Sequence, residues 1–222
     1  MIPMPKIVVN CKAYENCMGD KAIRIAQICE RVAKVTGIAI AVAVDAADIY
    51  HVRMAVRIPV FAQHVDSDSP GAHTGAILPE AVKEAGAIGT ILNHSEKKLS
   101  PGVLKKAVER ASKAGLLTLV CAATPAEAKK NNALMPDMIA IEPPELIGGK
   151  VSVSTAKPEV ITATIKAVLH TPVLCGAGIK TKKDVAQAMK LGAYGILVAS
   201  GVTLAKNPEK VLKDFASAMR KI

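Results

Sequence analysis

Four places in this 222-residue chain set polar groups directly at the ends of short apolar runs, and together they carry an inventory for chemistry. Asn10-Cys11-Lys12 closes the first run; a lysine held there offers a fixed cation for a phosphate or a developing oxyanion. Asn93-His94-Ser95-Glu96 closes a later one, where His94 is placed to donate a hydrogen bond to a carbonyl and Glu96 to pair with a cation such as Lys12. Glu142 follows Met138–Ile141 and heads Pro143-Pro144-Glu145-Leu146-Ile147-Gly148-Gly149, a stretch stiff at its start and free at its finish, as a lid with two hinges would be. Near the C-terminus, Cys175-Gly176-Ala177-Gly178-Ile179 and Ala199-Ser200-Gly201-Val202 are small-residue loops whose backbone N–H groups can cradle a phosphate. Each piece alone has an ordinary reading: a solvated loop lysine, a structural histidine, a rigid turn, routine glycines. Jointly they supply a cation, a neutral donor, a carboxylate base, a lid and an anion cradle, which suits proton abstraction next to a carbonyl. His51, His64, His73 and His170 lack such a position and read as structural.

The elements that must hold these groups recur along the whole chain. Strands are expected at Ile7–Asn10, Ile38–Val44, Val60–Gln63, Ile88–Leu92, Leu117–Cys121, Met138–Ile141, Val173–Cys175 and Gly195–Val198. Most are apolar throughout instead of alternating, the mark of parallel strands covered on both faces. Amphipathic stretches lie between them. Ser100-Pro101 reads as N-cap and first-turn proline before Val103–Ala114, and Thr181 with Asp184 as a capping box opening Lys182–Lys190. Asn207-Pro208 opens a last helix toward Met219, and Gly86, Gly115 and Gly192 stand where helices stop. Eight such units, at about 28 residues each, fit a single (β/α)8 barrel domain over 1–222, although an open doubly wound sheet would satisfy the same alternation.

Half of the residues are hydrophobic and aromatics are few, so the core must be Ala, Val, Ile, Leu and Met. The formal charge of +10 admits nucleic acid, an anionic membrane or a small anionic substrate as partner. The basic residues are scattered singly and in pairs, without aromatic interleaving, which argues against nucleic acid. Five cysteines without CxxC spacing argue against a disulfide framework and a zinc site. The N-terminus enters a strand without signal-peptide features, and no apolar run is long enough to span a bilayer, so a cytoplasmic protein is expected.

The same segments, in order from the first strand to the last, resemble the triosephosphate isomerase family, and its short archaeal-type branch in particular. Asn10-Cys11-Lys12, Asn93-His94-Ser95-Glu96, Ile141 to Gly148, Leu174 to Ile179 and Val198 to Val202 carry the resemblance, and Gly71-Ala72-His73-Thr74-Gly75 is similar to the family's third loop. The resemblance implies a (β/α)8 barrel that interconverts dihydroxyacetone phosphate and D-glyceraldehyde 3-phosphate through an enediol(ate), without cofactor or metal. It implies Lys12 as electrostatic stabiliser, His94 as neutral electrophile and Glu142 as base. Asn10 would position the substrate, and Ile147 and Gly148 would close on the phosphate opposite Gly178, Ala199 and Ser200. Glu96 would hold Lys12 by an ion pair, and Thr74 would reach a neighbouring subunit's site in a homodimer or homotetramer. The chain departs from the family at Cys11, where an aromatic is usual, and in the loop after the eighth strand, which lacks a double glycine. Another phosphate-binding barrel enzyme acting on sugar phosphates, such as a lyase, would share the last two loops without needing Lys12, His94 and Glu142 together. A basic anion- or nucleic-acid-binding module would explain the charge without catalysis.

Overall fold

In the computed structural model, which describes residues 4–147 and 152–219, eight parallel strands close into a barrel. They are β1 (Ile7–Asn10), β2 (Ile40–Val44), β3 (Val60–Ala62), β4 (Gly89–Leu92), β5 (Leu117–Ala122), β6 (Met138–Ile141), β7 (Val173–Cys175) and β8 (Gly195–Val198). Each strand pairs with its sequence neighbour, and β8 returns to β1 with Ile196 opposite Ile7 and Val198 opposite Val9. That closing pair decides for the barrel over the open sheet. Outside lie α1 (Asp20–Thr36), α2 (Ile49–Ala55), α3 (Pro79–Glu84), α4 (Pro101–Lys113), α5 (Pro125–Asn132), α6 (Val153–Ala156), α7 (Pro158–Val168), α8 (Lys182–Lys190), α9 (Ser200–Thr203) and α10 (Pro208–Met219). No described helix is long and apolar enough to cross a membrane.

Side chains alternate between two cores, which explains runs that are apolar throughout. Val8, Ala41, Ala43, Phe61, Ile91, Leu119, Cys121, Met138, Ala140, Leu174 and Leu197 fill the barrel. Their strand neighbours, such as Ile7, Val9, Ile40, Val42, Ile139 and Ile196, pack outward with the buried faces of the helices. Phe61 fits only because Gly89 faces it: a Cβ there would stand 2.6 Å from the ring. Continuing two residues on from the last inward side chain leads from Val8 to Asn10, from Ala140 to Glu142, from Leu174 to Gly176 and from Leu197 to Ala199, at or just past the carboxyl ends of their strands. The period of the strand therefore delivers the polar groups to one mouth.

Strand ends differ from expectation by a residue or two, the usual play at element termini. β2 starts at Ile40, after Ala39 has offered its carbonyl to the amides of both Lys6 and Ile7 at the entrance. β3 ends at Ala62, where Gln63 turns its side chain to neighbouring carbonyls. β4 begins at Gly89 and β5 runs on to Ala122. The Thr181–Asp184 capping box is formed, and Asn207 Oδ1 accepts from the Lys210 amide at 2.9 Å. Ser100 has N-cap backbone geometry before Pro101, but its side chain makes no capping bond, a correction to the expected cap. The five cysteines are free and buried.

Candidate active site

Lys12 is held on every side. It leaves β1 with a positive φ of 50°, a conformation a lysine adopts only under constraint. Asn10 Oδ1 accepts its backbone N–H at 3.0 Å, and Gln63 Nε2 donates to its carbonyl at 3.0 Å. Its side chain is 12% exposed and its ammonium lies 2.6 Å from Glu96 Oε1, so the charge enters the mouth already paired. Asn10 itself is buried at the same mouth.

His94 follows Asn93, which has a φ of +58° and breaks the strand's alternation. The Glu96 N–H donates to His94 Nδ1 at 3.1 Å, so in the neutral ring the proton sits on Nε2. Burial pulls the imidazole pKa down to about 4, Lys12 adds to the fall, and Glu96 opposes it. His94 is therefore neutral at pH 7, a donor through Nε2. Its 3.6 Å approach to Glu142 Oε2 is neither an ion pair nor, at that length, a hydrogen bond.

Glu142 ends β6 with its N–H on the Ala122 carbonyl at 2.8 Å. Its carboxyl is buried, and Oε2 has no hydrogen-bond partner among the described residues. Burial pushes its pKa up to about 7, against the pull of a Cys121 thiol hydrogen bond and the Lys12 charge. An underused carboxylate in a dry site is a base poised at neutral pH. The room it occupies exists because residue 176 has no side chain: a Cβ there would lie 2.5 Å from Glu142 Cγ and 2.9 Å from Oε1.

Asn10, Lys12, His94 and Glu142 line one cleft together with Ile147, Gly178, Ala199 and Ser200. Ser200 opens α9, and N–H groups at the head of a helix have no intrahelical acceptor. The loop after β8 lies tight on the loop after β7, since a Cβ at Gly201 would stand 2.5 Å from the Ile179 carbonyl. On the lid segment, Pro144–Leu146 forms a single 3-10 turn, and Glu145 pairs with Lys157 ahead of α7. Gly148 and Gly149 lie outside the described residues. Thr74 is exposed on the loop between β3 and α3 and does not line this cleft.

Several further contributors to the site carry no motif of their own in the sequence. Tyr14 and Lys180 also line the cleft, Gln63 fixes the Lys12 backbone, and Gly176 makes space for a carboxylate instead of serving only as loop backbone. A strand-terminal Gln beside an expected strand-end cation was the one available signal for Gln63.

The sequence profile described as triosephosphate isomerase matches residues 5–217. The chain is 46% identical over 222 residues to the triosephosphate isomerase of Saccharolobus solfataricus, covering 98% of each. It is 47% identical over 214 residues to that of Sulfurisphaera tokodaii, covering 95% of this chain and 93% of the other. For that of Methanocaldococcus jannaschii the identity is 44% over 213 residues, covering 94% and 97%. The fold matches the crystal structure of triosephosphate isomerase from Bartonella henselae with a TM-score of 0.73, at 21% identity and 97% and 99% coverage. The chain belongs to the triosephosphate isomerase family.

Proposed function

We propose that the protein interconverts dihydroxyacetone phosphate and D-glyceraldehyde 3-phosphate by proton transfer through an enediolate. The observation that carries this reading is the buried Oε2 of Glu142, unpartnered among the described residues, beside the Nε2 of a neutral His94 in a cleft that the half-buried Lys12 also lines. Glu142 takes the proton from C1 of the ketose, and the C–H electron pair moves into the C1–C2 bond as charge passes to the C2 oxygen. His94 Nε2–H and the Lys12 ammonium stabilise that oxygen. A proton passes from the C1 hydroxyl to the C2 oxygen by way of His94, and the protonated Glu142 returns its proton to C2 as the C1 oxygen becomes the aldehyde carbonyl, so the aldose forms. Asn10 positions the substrate, and Glu96 holds Lys12. Gly178, Ala199 and Ser200 supply phosphate contacts from one wall, with Ile147 and Gly148 closing from the other. The protein works in the cytoplasm as a homodimer or homotetramer, with Thr74 entering the neighbouring subunit's site; light scattering in solution reads the assembly. Turnover of dihydroxyacetone phosphate, followed through a coupled glyceraldehyde-3-phosphate dehydrogenase without added metal, tests the activity. Folded protein that shows no turnover would refute it.

Two expectations follow from the geometry of Glu142. Because burial raises its pKa to about 7, the base is protonated and inactive below that pH and ionised above it. The kcat/KM profile therefore loses activity on the acid side with a midpoint near pH 7, distinct from the substrate phosphate, which titrates at about 6. His94→Gln lowers the rate but leaves this limb, since His94 already titrates near 4. The second concerns Gly176→Ala, which pushes a methyl group into the carboxylate. Here kcat falls by roughly 100-fold with KM little changed, because the base is displaced by a fraction of an ångström to one ångström.

A further inference from the structure

His94 depends on a backbone turn that no cleft residue maintains. Asn93 sits in the left-handed region at φ +58°, a conformation that asparagine tolerates and most residues resist. Its buried amide is fixed at three points: Nδ2 donates to the Cys121 carbonyl at 2.9 Å and to Glu127 Oε1 at 2.9 Å, and Oδ1 accepts from the Leu99 N–H at 3.1 Å. Glu127 belongs to the first turn of α5, after β5, and its other bonds tie it down: the Ala123 N–H to Oε2 at 2.7 Å and Lys98 Nζ to Oε1 at 2.8 Å. One carboxylate thus joins the loop after β4 to the loop after β5, directly behind His94. Glu127 does not line the cleft.

We infer that Glu127 is a positioning residue for the isomerisation, clamping Asn93 in its left-handed turn so that His94 Nε2 points at the substrate carbonyl. The inference rests on the isomerase reading for its kinetic consequence, but the clamp itself is structural. Without the carboxylate, the Asn93 amide loses one of its three anchors and the Lys98 ammonium loses its partner. The peptide between residues 93 and 94 gains freedom, and the imidazole tilts away from the line on which its N–H must meet a developing oxyanion. Phosphate binding, made by the loops after β7 and β8, is untouched.

The test is a double-mutant cycle of Glu127→Ala with Asn93→Gly, since glycine adopts positive φ without a clamp. Glu127→Ala is expected to lower kcat by roughly 10- to 100-fold with KM changed less than about twofold, and to shift the His94 Nε2–H resonance in 15N-labelled protein. In the Asn93→Gly background, the same substitution costs kcat less than about threefold, because its route of action is gone. Glu127→Gln keeps the side chain's size and one acceptor oxygen, so it folds if the alanine variant does not, and its loss of kcat lies between alanine and wild type. Folded Glu127 variants with an unmoved His94 resonance and unchanged kcat would overturn the clamp, as would losses that multiply across the cycle. If wild-type protein turns over no triose phosphate, the isomerase reading fails, while the His94 resonance still decides the clamp.

Discussion

Glu142→Gln lowers kcat for dihydroxyacetone phosphate by roughly 1,000- to 10,000-fold, the range a positioned base contributes, while the protein stays folded and is still inhibited by inorganic phosphate. The amide has the carboxylate's shape and fits the space that Gly176 leaves, so binding and packing persist while the proton acceptor is lost. Thermal unfolding above pH 7 should show no loss of stability. Wild-type Glu142 is ionised there with a buried oxygen that no donor among the described residues satisfies, and the neutral amide removes that charge from the interior. A glutamine variant that retained most of its turnover would remove Glu142 from the mechanism.

Lys12→Ala is the second large effect: kcat/KM falls by roughly 100- to 1,000-fold or more, the scale on which a preorganised oxyanion partner acts. The pH profile should move as well, and its sign is determined by the site. The Lys12 charge lowers the pKa of Glu142, so removing it lets burial raise the carboxylate further and displaces the acid limb to higher pH. Stability changes little, because the partner Glu96 is 57% exposed and returns to solvent. An unmoved limb would mean that Lys12 does not act on Glu142 electrostatically.

What the sequence disclosed, and what it did not, follows the range of the forces involved. Strand-end groups were legible because the two-residue period is local: Asn10 and Glu142 continue the inward faces of β1 and β6. The Thr181–Asp184 cap was legible for the same reason, and the structure forms it. Closure was not, since alternation of strands and helices is the same in an open sheet; only Ile7 meeting Ile196 across the whole chain distinguishes the two. Within the site, the residues with acid, base or cationic chemistry of their own announce themselves by type. Those that aim them do not. Gln63 reaches Lys12 across 51 positions, and Glu127 reaches Asn93 across 34, each through a contact that only the closed barrel brings about. Gly176 read as loop backbone because the crowding that requires it comes from a side chain on the neighbouring strand. Asn93 carried no mark of its left-handed turn beyond being an asparagine, and that turn is what releases His94 from the strand's alternation.

A base that carries a proton between the two carbons of a triose phosphate leaves an isotopic trace, which 1H NMR of the isomerisation in D2O reads. Rapid turnover is expected of the wild-type protein, with deuterium from the exchanged Glu142 carboxyl at C2 of glyceraldehyde 3-phosphate, and both are lost in Glu142→Gln. Turnover and deuterium incorporation undiminished by Glu142→Gln, or no turnover by the folded wild type, would remove Glu142 from that role.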